Sequence, residues 1–98
     1  MLIEKLAYID EITEIANRNK LVKIGQETYE CCQNLDYSFW IIVVDIDKFY
    51  IINDSCGYEI GNKLLRNFAH NLYKYISLGG LAARISGDNF ALMIRDYG

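Results

Sequence analysis

The stretch Phe39-Trp40-Ile41-Ile42-Val43-Val44-Asp45-Ile46-Asp47 decides the fold. It opens with an unbroken run of β-branched and aromatic side chains, which predicts a short strand buried on both faces. Two carboxylates, Asp45 and Asp47, follow where this strand meets solvent. Mg²⁺ prefers oxygen ligands and keeps part of its coordination shell for substrate phosphate. The pair therefore predicts either a metal site or a solvated strand end.

Three helices and a hairpin are predicted around this strand. Apolar residues recur at helical spacing over 19–36, 49–56 and 59–76. Gly57 suits the C-cap of the second helix, and Gly79-Gly80 is predicted to end the third. Further along, two apolar runs flank the turn Ser86-Gly87-Asp88-Asn89, which predicts a tight antiparallel hairpin. Together these elements predict an α/β (α+β) sandwich, with helices packed on a mixed or antiparallel sheet.

The N-terminus and the composition set the domain organisation. Leu2, Leu6 and Ile9 lie at helical spacing, so residues 1–9 predict the end of an incoming helix and 10–98 a single domain. A chain of 98 residues that is 52% hydrophobic can bury one small core. Its net charge of −3 argues against binding nucleic acid by bulk electrostatics.

Targeting signals and cysteines point to one compartment. The sequence has no apolar run of membrane-spanning length and no apolar segment typical of a signal peptide. We therefore expect no membrane contact in this segment and a cytoplasmic location. The adjacent Cys31 and Cys32 and the single Cys56 form neither a disulfide framework nor a spaced set of metal ligands. We expect these cysteines to be reduced and buried.

Four motifs carry a resemblance to a known family. In chain order they are residues 10–18, 45–54, 57–62 and 84–90. The chain resembles the GGDEF family, the diguanylate cyclases, and the first motif is similar to that family's Asp-x-Leu-Thr-x-Leu-x-Asn-Arg. The resemblance implies a fold like that of nucleotidyl cyclases and polymerase palm domains. It also implies that the hairpin lies beside the first strand, which brings Asp88 next to Asp45.

The same resemblance implies a catalytic and metal-binding strand end. Enzymes of the family join two GTP molecules into cyclic di-GMP where two domains meet, and two Mg²⁺ ions clamp the reacting oxygens. Asp45, the backbone carbonyl of Ile46, and Asp88 match metal ligands. The catalytic motif falls on Ser86, Gly87, Asp88, Asn89 and Phe90. Asn89 stands where the family has a metal-binding Glu, and Ser86 stands where it has Gly. We therefore expect Mg²⁺ to be weakly bound or absent.

Nucleotide binding is implied for three further positions. Phe49 and Asn53 match nucleotide-binding residues of the family, and Asn62 falls where the family has an Asp that contacts guanine. A carboxylate accepts hydrogen bonds from both guanine N1–H and the exocyclic amine, whereas an amide has only one acceptor oxygen. GTP or another nucleotide is thus the implied ligand, with a weakened preference for guanine.

Family domains continue beyond the hairpin through another helix and further strands, so we expect 10–98 to be a partial domain. Its uncovered sheet edge favours a homodimer, and sensor or EAL-type domains are the implied neighbours in the parent protein. Three hypotheses remain open. The chain is an inactive regulatory or dimerising module that binds nucleotide weakly at most, a weakly active diguanylate cyclase, or a dimeric fragment that binds no nucleotide.

Overall fold

The computed structural model describes residues 7–76 and 80–96. The chain forms a four-stranded sheet with α-helices and a short 3₁₀ turn packed around it. In chain order the elements are β1 (Ala16–Asn17), α1 (Arg18–Asn34), β2 (Ser38–Asp45), α2 (Phe49–Cys56), α3 (Tyr58–Leu72), the 3₁₀ turn (Tyr73–Tyr75), β3 (Leu81–Ser86) and β4 (Asn89–Asp96).

The sheet is mixed, with strand order β1-β3-β4-β2. β1 pairs with β3 in parallel, and β4 runs antiparallel to both β3 and β2. The β3–β4 hairpin therefore occupies the centre of the described sheet, and β2 lies at one edge. The prediction of a mixed α/β sandwich is confirmed.

Local sequence explains where the helices begin and end. Asn17 caps α1, because its side-chain oxygen accepts a hydrogen bond from the backbone N–H of Lys20 at 3.0 Å. The bounds of α2 agree with the prediction, and Gly57, at φ 87°, ends it as its C-cap. The next helix is shorter than predicted, because the chain tightens into the 3₁₀ turn after Leu72. Gly79, one of its two predicted terminators, lies outside the described residues.

The core forms where α3 meets the inner face of the hairpin. Leu65, Ala69 and Leu72 of α3 are buried in one cluster with Phe90 and other β3 and β4 side chains. The rings of Phe68 and Phe90 lie 5.0 Å apart between centroids at a tilted angle, a favourable aromatic arrangement. The start of β4, directly after the hairpin turn, is thus packed against α3.

The burial predicted for the first strand is wrong. Along β2, Trp40 is 61% exposed and Val43 63% exposed, and Ile41 and Ile42 are also exposed. The strand exists, but within the described residues it pairs only with β4 and lies at the edge of the sheet. An apolar run predicts a strand. The burial of that strand depends on the elements that lie to each side of it, and the run itself carries no information about them.

The burial predicted for the cysteines is also wrong, and the predicted N-terminal helix is not tested. Cys31 and Cys56 are free thiols as expected, but both are exposed rather than buried. Most of the predicted incoming helix, residues 1–6, lies outside the described residues. The short helical piece at Ala7 and Tyr8 is consistent with that helix but does not test it, so the division at residue 9 stays a prediction.

Candidate functional site

The turn of the hairpin lies beside the end of the first strand. In the ladder between β2 and β4, Asp45 stands opposite Asn89. One step further, the backbone N–H of Ile46 donates to the carbonyl oxygen of Asp88 at 3.2 Å. Gly87 adopts a positive φ of 47° in the turn, a conformation that glycine tolerates best. The strand end and the hairpin motif thus form one continuous edge.

This edge offers few charged groups for a metal ion. Asp45 is exposed and Asp88 half-buried, and the carbonyl oxygen of Ile46 accepts a hydrogen bond from the N–H of Phe49 at 3.3 Å. Within 7–76 and 80–96, no three Asp, Glu, His or Cys side chains form a group that could hold a metal ion. Two carboxylates and one carbonyl are the kind of donor set that holds one Mg²⁺ when phosphate and water complete its shell, and this set carries little charge for a pair of metal ions.

On the other side of the turn, an ion pair fixes the hairpin to the N-terminal motif. Arg84 donates from Nε to the carbonyl oxygen of Gly87 at 2.8 Å and lies 3.3 Å from the carboxylate of Asp10. That carboxylate also accepts from the backbone N–H and the hydroxyl of Thr13, at 2.9 and 2.7 Å. Burial alone would raise the pKa of Asp10, but the Thr13 hydrogen bonds and the Arg84 charge together hold the pKa below its ordinary value.

A cavity of about 440 Å³ opens between α2, α3 and the hairpin turn. Its lining brings together Phe49, Asn53 and Asn62, the residues predicted to bind nucleotide, with Asp88 of the motif. The remaining lining residues are Ile12, Tyr50, Tyr58, Leu65, Arg84 and Gly87. Aromatic and apolar walls with a few polar groups are typical of small-molecule sites. The cavity therefore joins the candidate nucleotide residues to the candidate metal edge.

Sequence reasoning missed the residues that support this cavity. Arg84 and Asp10 belong to two separate motifs of the sequence, yet the two form an ion pair across 74 positions. The exposed aromatic residues Tyr50 and Tyr58 line the cavity and were given no role. Tyr50 precedes Asn53 by three residues in the predicted short helix, so the two share one helix face, and this spacing was the available signal for Tyr50.

Comparison with known proteins assigns the family. The sequence profile described as "Diguanylate cyclase, GGDEF domain" matches residues 7–98. The chain is 33% identical over 89 residues to the probable diguanylate cyclase DgcF of Escherichia coli strain K12, covering 90% of this chain and 27% of that protein. It is 32% identical over 94 residues to the cyclic di-GMP phosphodiesterase PdeB of Shewanella oneidensis, covering 96% of this chain and 10% of that protein.

Solved structures agree with this assignment. A crystal structure of a sensory box/GGDEF family protein from Caulobacter crescentus CB15 superposes with a TM-score of 0.88 at 29% identity, covering 94% of this chain and 59% of the other. The chain belongs to the GGDEF family, whose members act in cyclic di-GMP signalling. It spans only a minor part of the curated relatives it matches. None of the helices in the described residues is both long and apolar enough to cross a membrane.

Proposed function

We propose that this chain is a GGDEF domain that does not condense GTP, keeps a weak nucleotide pocket, and acts as a regulatory module in cyclic di-GMP signalling. The observation that carries the proposal is the pairing of Asp45 with Asn89 across the sheet. The family motif has a glutamate at the position of Asn89. An amide in that place contributes no negative charge beside Asp45.

The family reaction depends on that charge. A 3′-hydroxyl must lose its proton and an α-phosphate must become electrophilic, and bound Mg²⁺ supplies both effects as a Lewis acid when two ions are present. In this chain Asp45 and Asp88 are the two carboxylates at positions that match the family's metal ligands, with the carbonyl of Ile46 beside them. These groups suit one weakly held Mg²⁺. The strand end therefore keeps residues that match the family's metal ligands, but it lacks the glutamate charge on which the family reaction depends.

The cavity supports the proposed nucleotide binding. Its walls supply aromatic surface from Phe49, Tyr50 and Tyr58, and neutral hydrogen-bonding groups from Asn53 and Asn62. Neutral amides bind a base edge without needing a metal ion. With an amide at position 62, only one acceptor oxygen faces a base where a carboxylate would offer two. Binding should consequently be weaker and less selective for guanine than in cyclases of the family.

A regulatory role is supported by two further features. Within the described residues β2 pairs only with β4 and carries exposed apolar side chains, so its outer edge can pair with another strand, including that of a second copy of this chain, and the module can act through assembly. The related segment of PdeB lies in a protein named as a phosphodiesterase. We propose that this chain likewise acts beside other signalling domains in the cytoplasm, through its bound nucleotide and its contacts.

Incubation with GTP tests the proposal. The purified chain should form no cyclic di-GMP above a protein-free control, with either Mg²⁺ or Mn²⁺, when products are separated by chromatography. The matched control is Asp45→Ala, which removes a carboxylate that any residual reaction would need. Product that appears with the natural chain and disappears with Asp45→Ala would establish the alternative, a weakly active diguanylate cyclase.

A further inference from the structure

One side chain in the cavity is held without a hydrogen bond to its oxygen. The Oδ1 atom of Asn53 is buried, and within the described residues it accepts no hydrogen bond. Buried polar atoms of native proteins nearly always have a partner, so an exception needs an explanation. Since no donor fixes this oxygen, packing against its neighbours must set the orientation of the amide.

The neighbour that makes room for it is Gly61. A Cβ atom at Gly61 would overlap the Oδ1 atom of Asn53 and would lie 3.2 Å from its Cγ and 3.3 Å from Cζ of the Phe49 ring. Glycine inside a helix is unfavourable by comparison with alanine. Here the missing side chain leaves the space that the Asn53 amide occupies. Gly61 and the Oδ1 atom of Asn53 are both buried.

A second helical glycine shows that this arrangement is specific. Gly25 lies inside α1, and a Cβ atom added there would meet nothing within 4 Å. Both positions are helical, and neither has a positive φ. The two glycines therefore differ in their surroundings rather than in their backbone conformation. Only at Gly61 does the absence of a side chain determine where a cavity residue lies.

We propose that Gly61 is a positioning residue that sets base selectivity by holding the Asn53 amide in the orientation that reads the edge of a bound purine. This inference rests on the proposed nucleotide binding. Asn53 and Asn62 line the same cavity, and because the Oδ1 atom of Asn53 is packed against Gly61, this amide offers a base its Nδ2 donors only. A side chain at position 61 would displace the amide and bring those donors to the wrong atoms of the base. A phosphate chain that carries no base should bind equally well before and after such a displacement.

Binding of three probes to matched variants tests this role. The probes are GTP, ATP and inorganic tripolyphosphate, measured by isothermal titration on the natural chain, Gly61→Ala, Asn53→Ala, the double variant and Gly25→Ala. We expect the natural chain to prefer GTP over ATP by about fivefold, which corresponds to about 1 kcal/mol. This ratio should fall to about one in Gly61→Ala and Asn53→Ala, while tripolyphosphate affinity stays unchanged. Gly25→Ala should keep the ratio.

The double variant distinguishes positioning from general damage. In the Asn53→Ala background the overlap with a Cβ at position 61 is gone, so adding Gly61→Ala should leave the ratio unchanged and lower the melting temperature less than it does in the natural chain. The proposal is overturned by equal GTP and ATP affinities in the natural chain, by a preserved ratio in Gly61→Ala, or by additive effects. If no nucleotide binds at all, the proposed function fails with it.

Discussion

The cavity between α2, α3 and the hairpin turn and the strand end at Asp45 both adjoin Asp88, but they contribute differently to binding and chemistry. The cavity supplies shape, with aromatic walls, two neutral amides and the space beside Gly61. The strand end should supply charge, and there Asn89 faces Asp45 where the family motif has a glutamate. Binding through shape and neutral groups survives such changes, whereas metal-assisted chemistry depends on charge that a single amide removes.

The largest expected effect comes from the residue that supports both regions. Phe90 follows Asn89, is fully buried and packs on Phe68, so Phe90→Ala should lower the free energy of unfolding by about 3–5 kcal/mol. Urea denaturation would measure this loss. Tyr75→Ala is the matched control, because Tyr75 is 72% exposed and should change stability by no more than about 0.5 kcal/mol. A similar small change at Phe90 would mean that the hairpin is not anchored as described.

A smaller effect is expected at the ion pair behind the turn. Asp10→Asn should cost about 1–3 kcal/mol at pH 7, because Arg84 and Thr13 then face a neutral group. The pKa of Asp10 is lowered in the folded state, so its stabilisation is present at neutral pH and is lost as the pH falls below about 4 through the folded-state pKa. The free energy of unfolding, measured by denaturation at several pH values between 7 and 3, should therefore depend less on pH in Asp10→Asn than in the natural chain.

The exposed neighbour Glu11 provides the control for that series. Glu11→Gln removes one carboxylate from the same segment without touching the ion pair, and it should keep the acid dependence of the natural chain. If Asp10→Asn and the natural chain lose stability in parallel below pH 4, the contact with Arg84 would contribute nothing to folding.

Most of the fold could be predicted from the sequence, because helix periodicity and turn residues are local patterns. The bounds of α2 and its glycine cap follow from periodicity and turn chemistry, and the hairpin follows from two apolar runs around Gly87. The two-residue strand β1 is too short to leave a pattern. Burial of β2 was predicted wrongly, because the position of a strand in a sheet is set by its neighbours.

The site was less accessible from sequence alone. The family resemblance predicted that the hairpin lies beside the first strand with Asp88 next to Asp45. The register that places Asn89 opposite Asp45 came from the structure, since spacing along the chain does not fix the register between distant strands. The contact between Asp10 and Arg84, and the space that Gly61 leaves for Asn53, arise only once the helices pack on the sheet. Neither the residue types nor the spacing of these four positions in the sequence predicts such contacts.

The most direct test of the charge argument is Mg²⁺ binding measured by isothermal titration. The natural chain should bind Mg²⁺ no more tightly than about millimolar, as expected for one or two carboxylates without nucleotide phosphate, and Asp88→Asn should weaken it further. Asn89→Glu should tighten binding by about tenfold or more, because it restores a charge beside Asp45. Asn67→Glu, an exposed position on α3, should leave it unchanged. Micromolar binding by the natural chain, or no change with Asn89→Glu, would contradict the account.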